Sequence, residues 1–153
     1  MELHIVISAS VIEDSTAIAQ LSRQLGYPTS TDNIRERLAT IIEHSENCVF
    51  TAMYDGQVVG WIHAFHTFRI ESPAFIEIAG LIVDENIRGR NVGRKLVSSV
   101  VSWAKERGVT SLRVRSNVKR QQAHEFYKHI GFSEVKSQKI FSLDIKDFNH
   151  TCN

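Results

Sequence analysis

The chain predicts an α/β fold, a mixed and twisted central sheet of about seven strands with helices on both faces. Three observations carry that prediction. Hydrophobic periodicity orders the elements β-α-α-β-β-β-α-β-α-β-β. Asp55-Gly56 sits between two β-rich runs and marks a two-residue hairpin, so part of the sheet is antiparallel. Leu81-Ile82-Val83 ends a buried strand and leads through a basic, glycine-containing turn into a helical pattern. A further strand after that helix makes a β-α-β crossover, so part of the sheet is parallel.

Residues 3–8, rich in β-branched side chains, form the first expected strand. A helix over 13–25 follows, with Ile18, Leu21 and Leu25 on one face and Glu13-Asp14 at its positive end. Gly26-Tyr27-Pro28 stops it. Ser30 or Thr31 caps a second helix whose apolar face is Ile34, Leu38, Ile41 and Ile42. Strands at 47–54 and 57–68 flank the hairpin turn, and Pro73 precedes a strand at 74–83. The helix after the basic turn buries Val92, Leu96, Val97, Val100, Val101 and Ala104 and ends before Gly108. A strand at 111–115 and a helix at 119–130 follow, the helix closed by Gly131. Strands at 132–136 and 140–145 complete the expected sheet. Residues 1–146 thus read as one domain and 147–153 as a tail.

The 153 residues suffice for one domain with a substantial core. With 18 basic and 17 acidic residues the net charge is +1, which argues against nucleic acid or an acidic membrane surface as partner. No apolar run approaches the ~18 residues that span a bilayer. The N-terminus lacks a signal-peptide layout, so a cytoplasmic setting is expected. Cys48 and Cys152 have no metal-ligand spacing, and a reduced pair suits that setting. His63 and His66 are three apart on a strand, so they point to opposite faces and cannot share a metal. No metal site emerges. Trp61, Phe65 and Trp103 fit sheet–helix packing.

The basic turn is the chemical centre. Arg88, Arg90, Arg94 and Lys95 place four cations within eight residues. The first turn of a helix has N–H groups with no intrahelical partner and carries partial positive charge, so it attracts phosphate. Gly89 and Gly93 let the main chain approach a ligand closely. The segment is neither Gly-x-x-x-x-Gly-Lys-Ser/Thr nor Gly-x-Gly-x-x-Gly, so ATP and NAD fit poorly.

Arg88-Gly89-Arg90-Asn91-Val92-Gly93 resembles the acyl-CoA-binding signature of the GNAT superfamily of N-acetyltransferases, Gln/Arg-x-x-Gly-x-Gly/Ala. Asn91 stands where the signature has its first glycine, and Asn tolerates left-handed backbone angles better than most residues. A second segment, with Ala123, Phe126, Tyr127, Gly131 and Phe132, is similar to the Ala-x-x-Phe/Leu-Tyr-x-x-x-Gly-Phe pattern of the same superfamily. The resemblance covers nearly the whole chain. It implies a GNAT-like fold and transfer of an acetyl group from acetyl-CoA directly to a primary amine.

The resemblance also implies roles for individual residues. The strands at 74–83 and 111–115 would splay apart, with main-chain groups of Leu81, Ile82 and Val83 along the pantetheine arm. Arg88, Gly89, Arg90, Asn91, Val92, Gly93 and Arg94 would hold the diphosphate. Asn117 and Arg120 would face the cofactor, although the superfamily often has asparagine where Arg120 stands. Tyr127 would protonate the leaving thiolate, and the alternative is a core aromatic. Glu77, the one carboxylate inside its strand, would act as base, directly or through water; the alternative is an outward-facing glutamate. His124 reads as structural. A CoA-binding sensor or interaction module without turnover is the other functional reading. The acceptor would meet residues 26–32 and 68–75. There Arg69 could hold a carboxylate or Glu71 a cation, unless both are solvated loop charges. The superfamily includes dimers, which leaves a homodimer open.

Overall fold

The protein, described here from a computed structural model over residues 3–151, forms two compact units, residues 1–117 and 118–153. The first contains β1 (Val6–Ala9), α1 (Ser15–Gln24), α2 (Thr31–Glu43), β2 (Asn47–Tyr54), β3 (Gln57–Thr67), β4 (Phe75–Val83), α3 (Val92–Glu106) and β5 (Leu112–Val114). The strands make one sheet in the order β1-β2-β3-β4-β5. The first three pairings are antiparallel and β4–β5 is parallel, so the sheet is mixed as expected.

Local signals account for most boundaries. Asp55 and Gly56 have φ of 51° and 74°, the double positive φ that a tight hairpin requires. Ser30 caps α2 by accepting from the Asn33 N–H at 3.1 Å. Gly26 and Gly108 end α1 and α3 with positive φ. The following N–H groups, of Tyr27 and Val109, bond back to Ser22 and Ala104 carbonyls.

The core lies on both faces of the sheet. A methyl group at Gly60 would lie 3.2 Å from Leu96 Cδ1 and 3.3 Å from Val92 Cγ1, so α3 presses on that face. The next residue, Trp61, points the other way. It packs against Ile18 of α1, Leu38 of α2 and Val49 of β2. Helices therefore cover both faces. Cys48 is buried, and burial pushes its thiol up to about 12. Cys152 lies outside the described residues.

The strand count is a correction: the sheet has five strands rather than about seven. Residues 132–136 and 140–145 form no strand. Val135, Ile140, Phe141, Leu143 and Ile145 are exposed there, from 58 % to 87 % for all but the most open, Phe141 at 89 %. Alternating apolar residues express a preference for extended backbone, but a strand exists only where a neighbour supplies the hydrogen bonds. The second unit contains α4 (Gln121–His129) and one short 3-10 turn at Ile145–Asp147.

Candidate active site

The sheet opens beside β4. Its pairing with β3 shifts register between His63 and Ala64: His63 lies opposite Gly80 and Ala64 opposite Ile78, which leaves Ala79 as an extra, bulged residue. The parallel ladder with β5 ends at the same place, at Ile78 and Val114. Beyond it, among the described residues, no strand flanks that edge of β4. Asp84 N–H donates to the Val59 carbonyl at 2.8 Å. Alternation from that bond turns the main-chain groups of Ile82 toward β3 and those of Leu81 and Val83 toward the open edge. An extended chain could pair there as a strand would.

The other end of this strand-to-helix connection gathers main-chain donors and positive charge. Asp84 Oδ1 accepts from the Asn86 N–H and side-chain amide at 3.0 and 3.2 Å, which tightens the exit from β4. Gly89 has φ 79° and Asn91 φ 65°, so the chain turns twice through left-handed conformations. Asn91 is the N-cap residue of α3, yet its side chain makes no capping hydrogen bond. The first intrahelical bond runs from Lys95 N–H to the Asn91 carbonyl at 3.0 Å. The N–H groups of Val92, Gly93 and Arg94 precede it and lack partners within the helix. Val92 is 1 % exposed, and its side chain lies against β3 at Gly60. Arg88, Arg90 and Arg94 are exposed around the helix start.

The left-handed Asn91 gives a direct test of the loop. Asn91→Val should lower stability by about 1–2 kcal/mol, because a β-branched residue is strained there. Asn91→Gly should stay within about 0.5 kcal/mol of the parent. Urea denaturation of the two variants distinguishes them, and equal stabilities would contradict the strain.

Glu77 is mostly buried on β4, its side chain 13 % exposed, and Arg115 Nε lies 2.8 Å from its Oε1. The pairing is diagonal, since the register sets Glu77 opposite Arg113. Arg115 was not singled out from the sequence. Its only signal was a basic residue at the end of a strand next to one that carries a lone acid. On the same face, a methyl at Gly80 would meet Trp61 Cη2 at 2.8 Å, so the glycine makes room for the indole. His63, opposite Gly80, holds Asn47 Oδ1 through Nε2 at 2.8 Å.

Burial lowers the His63 pKa below its ordinary 6.5. As pH falls through that value the unfolded chain binds a proton that the folded chain resists, so stability declines on acidification. His63→Gln should flatten this decline between pH 7 and pH 5 in thermal melts. An unchanged pH slope would show that His63 protonates as freely folded as unfolded.

In the second unit, α4 carries Tyr127 in an aromatic group. Phe126 and Phe132 stand edge-on to it, at 5.3 and 5.5 Å between ring centroids. Gly131, φ 113°, ends α4, and the Phe132 N–H returns to the Tyr127 carbonyl at 2.9 Å. This helix end sets the spacing between Tyr127, Gly131 and Phe132 in this chain. Arg120 is the N-cap residue of α4, and Asn117 closes the first unit.

The structure therefore brings Leu81, Val83, Arg88, Gly89, Arg90, Asn91, Val92, Gly93 and Arg94 into one strand–loop–helix passage, with Glu77 upstream on the same strand. A cavity of about 530 Å³ lies elsewhere, lined by Ile41, Cys48, Ser99 and Trp103 among others. None of the candidate residues lines it. Among the described residues no group of three or more His, Cys, Asp or Glu side chains could hold a metal ion. Nor is any described helix long and apolar enough to cross a membrane.

A mixed sheet with a bulge in β4, continued through a basic turn into the uncapped start of α3, defines an α/β domain of mixed-sheet architecture. The model of the acetyltransferase (GNAT) family matches residues 15–132. An aminoglycoside N(6')-acetyltransferase type 1 from Stenotrophomonas maltophilia is 31% identical over 140 residues, covering 87% of this chain and 89% of that protein. An aminoalkylphosphonate N-acetyltransferase from Salmonella typhimurium is 31% identical over 115 residues, covering 74% and 72%. A crystal structure of an aminoglycoside N-acetyltransferase in complex with CoA superposes with a TM-score of 0.83 at 19% identity, over 95% of this chain and 97% of that one. That likeness shows the fold. The chain belongs to the GNAT acetyltransferase family and is an N-acetyltransferase.

Proposed function

We propose that the protein transfers an acetyl group from acetyl-CoA directly to a primary amine of a small molecule or peptide, with residues 1–146 acting as one catalytic domain. The uncapped start of α3, in chain continuity with the open edge of β4, carries the reading. The residues fit the cosubstrate. Partnerless N–H groups at Val92, Gly93 and Arg94 suit a diphosphate, Gly89 and Asn91 supply the turns, and Arg88, Arg90 and Arg94 supply charge. Leu81 and Val83 offer strand-like hydrogen bonds to an extended amide-bearing arm. Asn117 and Arg120 would add cofactor contacts.

Bound acetyl-CoA supplies an activated acyl group, so the enzyme's main task is to place the amine against it. An N–H of the open β4 edge would stabilise the carbonyl oxygen as charge develops. Glu77, its carboxylate oriented by Arg115, would take a proton from the acceptor's ammonium, directly or through water, and so leave the neutral amine to attack. Tyr127 would donate a proton to the departing sulfur. The family relationship supports the tyrosine's role, and the phenylalanine ring contacts support its fixed orientation.

The similar proteins named above act on an aminoglycoside and on an aminoalkylphosphonate, which supports an amine acceptor of small size. Thiol release from acetyl-CoA, measured across a panel of amines, tests the reading. Release that depends on an added amine is the expected result. Tight acetyl-CoA binding without release for every amine class would contradict it.

A further inference from the structure

We propose that the acceptor amine also carries an anionic group, a carboxylate or a phosphonate, and that Arg113 and Arg69 hold it beside Phe75. This rests on the acetyltransferase reading. Phe75, at the start of β4, is 1 % exposed. The Arg113 guanidinium carbon lies 4.0 Å from its ring centroid and that of Arg69 lies 5.2 Å away. A guanidinium laid on a ring keeps its N–H edge available in its own plane, the geometry that carboxylates and phosphonates accept.

The local charge is unbalanced. Among the described residues, the carboxylates that pair with Arg69, Arg113 or Arg115 are Glu71 and Glu77. Arg115 is satisfied by Glu77 at 2.8 Å. Arg69 reaches Glu71 only at 3.8 Å, and Glu71 is 73% exposed. Among the described residues, no carboxylate pairs with Arg113. A further donor lies in the same place: Thr67, opposite Phe75 in the β3–β4 register, has a buried hydroxyl oxygen without a partner. Donors and positive charge thus gather where β4 begins.

Placement gives the acceptor's shape. Phe75 and Glu77 share a face of β4, two residues or about 6.7 Å apart. The sheet opens just beyond Glu77, after Ile78. An amine at the opening, next to Glu77, leaves an anion a few carbons away within reach of Arg113 and Arg69. A polycation would meet like charge there.

The test compares kcat/KM for 4-aminobutanoate, 3-aminopropylphosphonate, the neutral 4-aminobutanamide and the polycation kanamycin, each with saturating acetyl-CoA. The anionic amines should exceed the amide by tenfold or more. Arg113→Gln should lower the anion-to-amide ratio about tenfold, chiefly through KM, and Arg113→Lys should restore part of it. Melting temperatures and acetyl-CoA affinity of both variants check that the fold persists. A preference for the amide or kanamycin, or an unchanged ratio in Arg113→Gln, would overturn the anion site while leaving the acetyltransferase reading intact. Absence of thiol release with every amine would overturn both. The better of the two anionic acceptors identifies the anion.

Discussion

Tyr127→Phe should lower kcat by about a hundredfold or more at neutral pH, the usual scale of a positioned acid. The affinity for acetyl-CoA should change by no more than about threefold, because only one hydroxyl is removed. Phe keeps the ring that Phe126 and Phe132 meet edge-on, so the packing around α4 survives. Stopped-time thiol release gives kcat, and calorimetric titration gives the affinity. The split between them is diagnostic: an interaction made only in the transition state appears in kcat and kcat/KM together. A variant with parental kcat would show Tyr127 to be a core aromatic and would remove it from the chemistry.

Gly93→Val should have the opposite signature, weaker CoA binding by about ten- to a hundredfold, the scale of losing charge-assisted hydrogen bonds to an anion. Gly93 lies in the first turn of α3, where its backbone N–H precedes the first intrahelical bond. Valine has better helix propensity than glycine, so the helix itself should not weaken. Lost affinity with an unchanged or raised melting temperature would therefore report the approach of the ligand to the main chain. Unchanged CoA affinity would contradict the proposed phosphate cradle, and with it the placement of the cosubstrate's diphosphate at the start of α3.

Much of this was legible in the chain because it depends on local rules. Asp55-Gly56 specifies a hairpin through positive φ, and Gly26, Gly108 and Gly131 specify helix ends in the same way. Asn91 was readable as a left-handed substitute for glycine, and it adopts φ 65°. The strand Asn47–Tyr54 agrees to the residue with its expectation. The two segments that resemble the family were legible for the same reason, since each is a helix terminus with its own hydrogen-bond requirements.

What failed or was missed depends on partners distant in sequence. The apolar alternation near Ile140 and Leu143 resembles a strand, yet nothing within fifteen residues says whether an edge is available to receive it. The bulge at Ala79 sits beside Gly80, a glycine inside a strand, but its place is fixed only by the register shift against β3. Arg115 became a partner of Glu77, and Arg113 a partner of Phe75, only when β5 was laid parallel to β4.

By itself the sequence determined the helices, the hairpin, the mixed α/β class and the left-handed basic turn before α3, because backbone conformation and capping are settled within a few residues. The tertiary structure alone decided how many strands pair, where the sheet parts and which arginine meets which carboxylate or ring. Those outcomes rest on hydrogen bonds and charges brought together across the sheet, and no local stretch of chain encodes its neighbour.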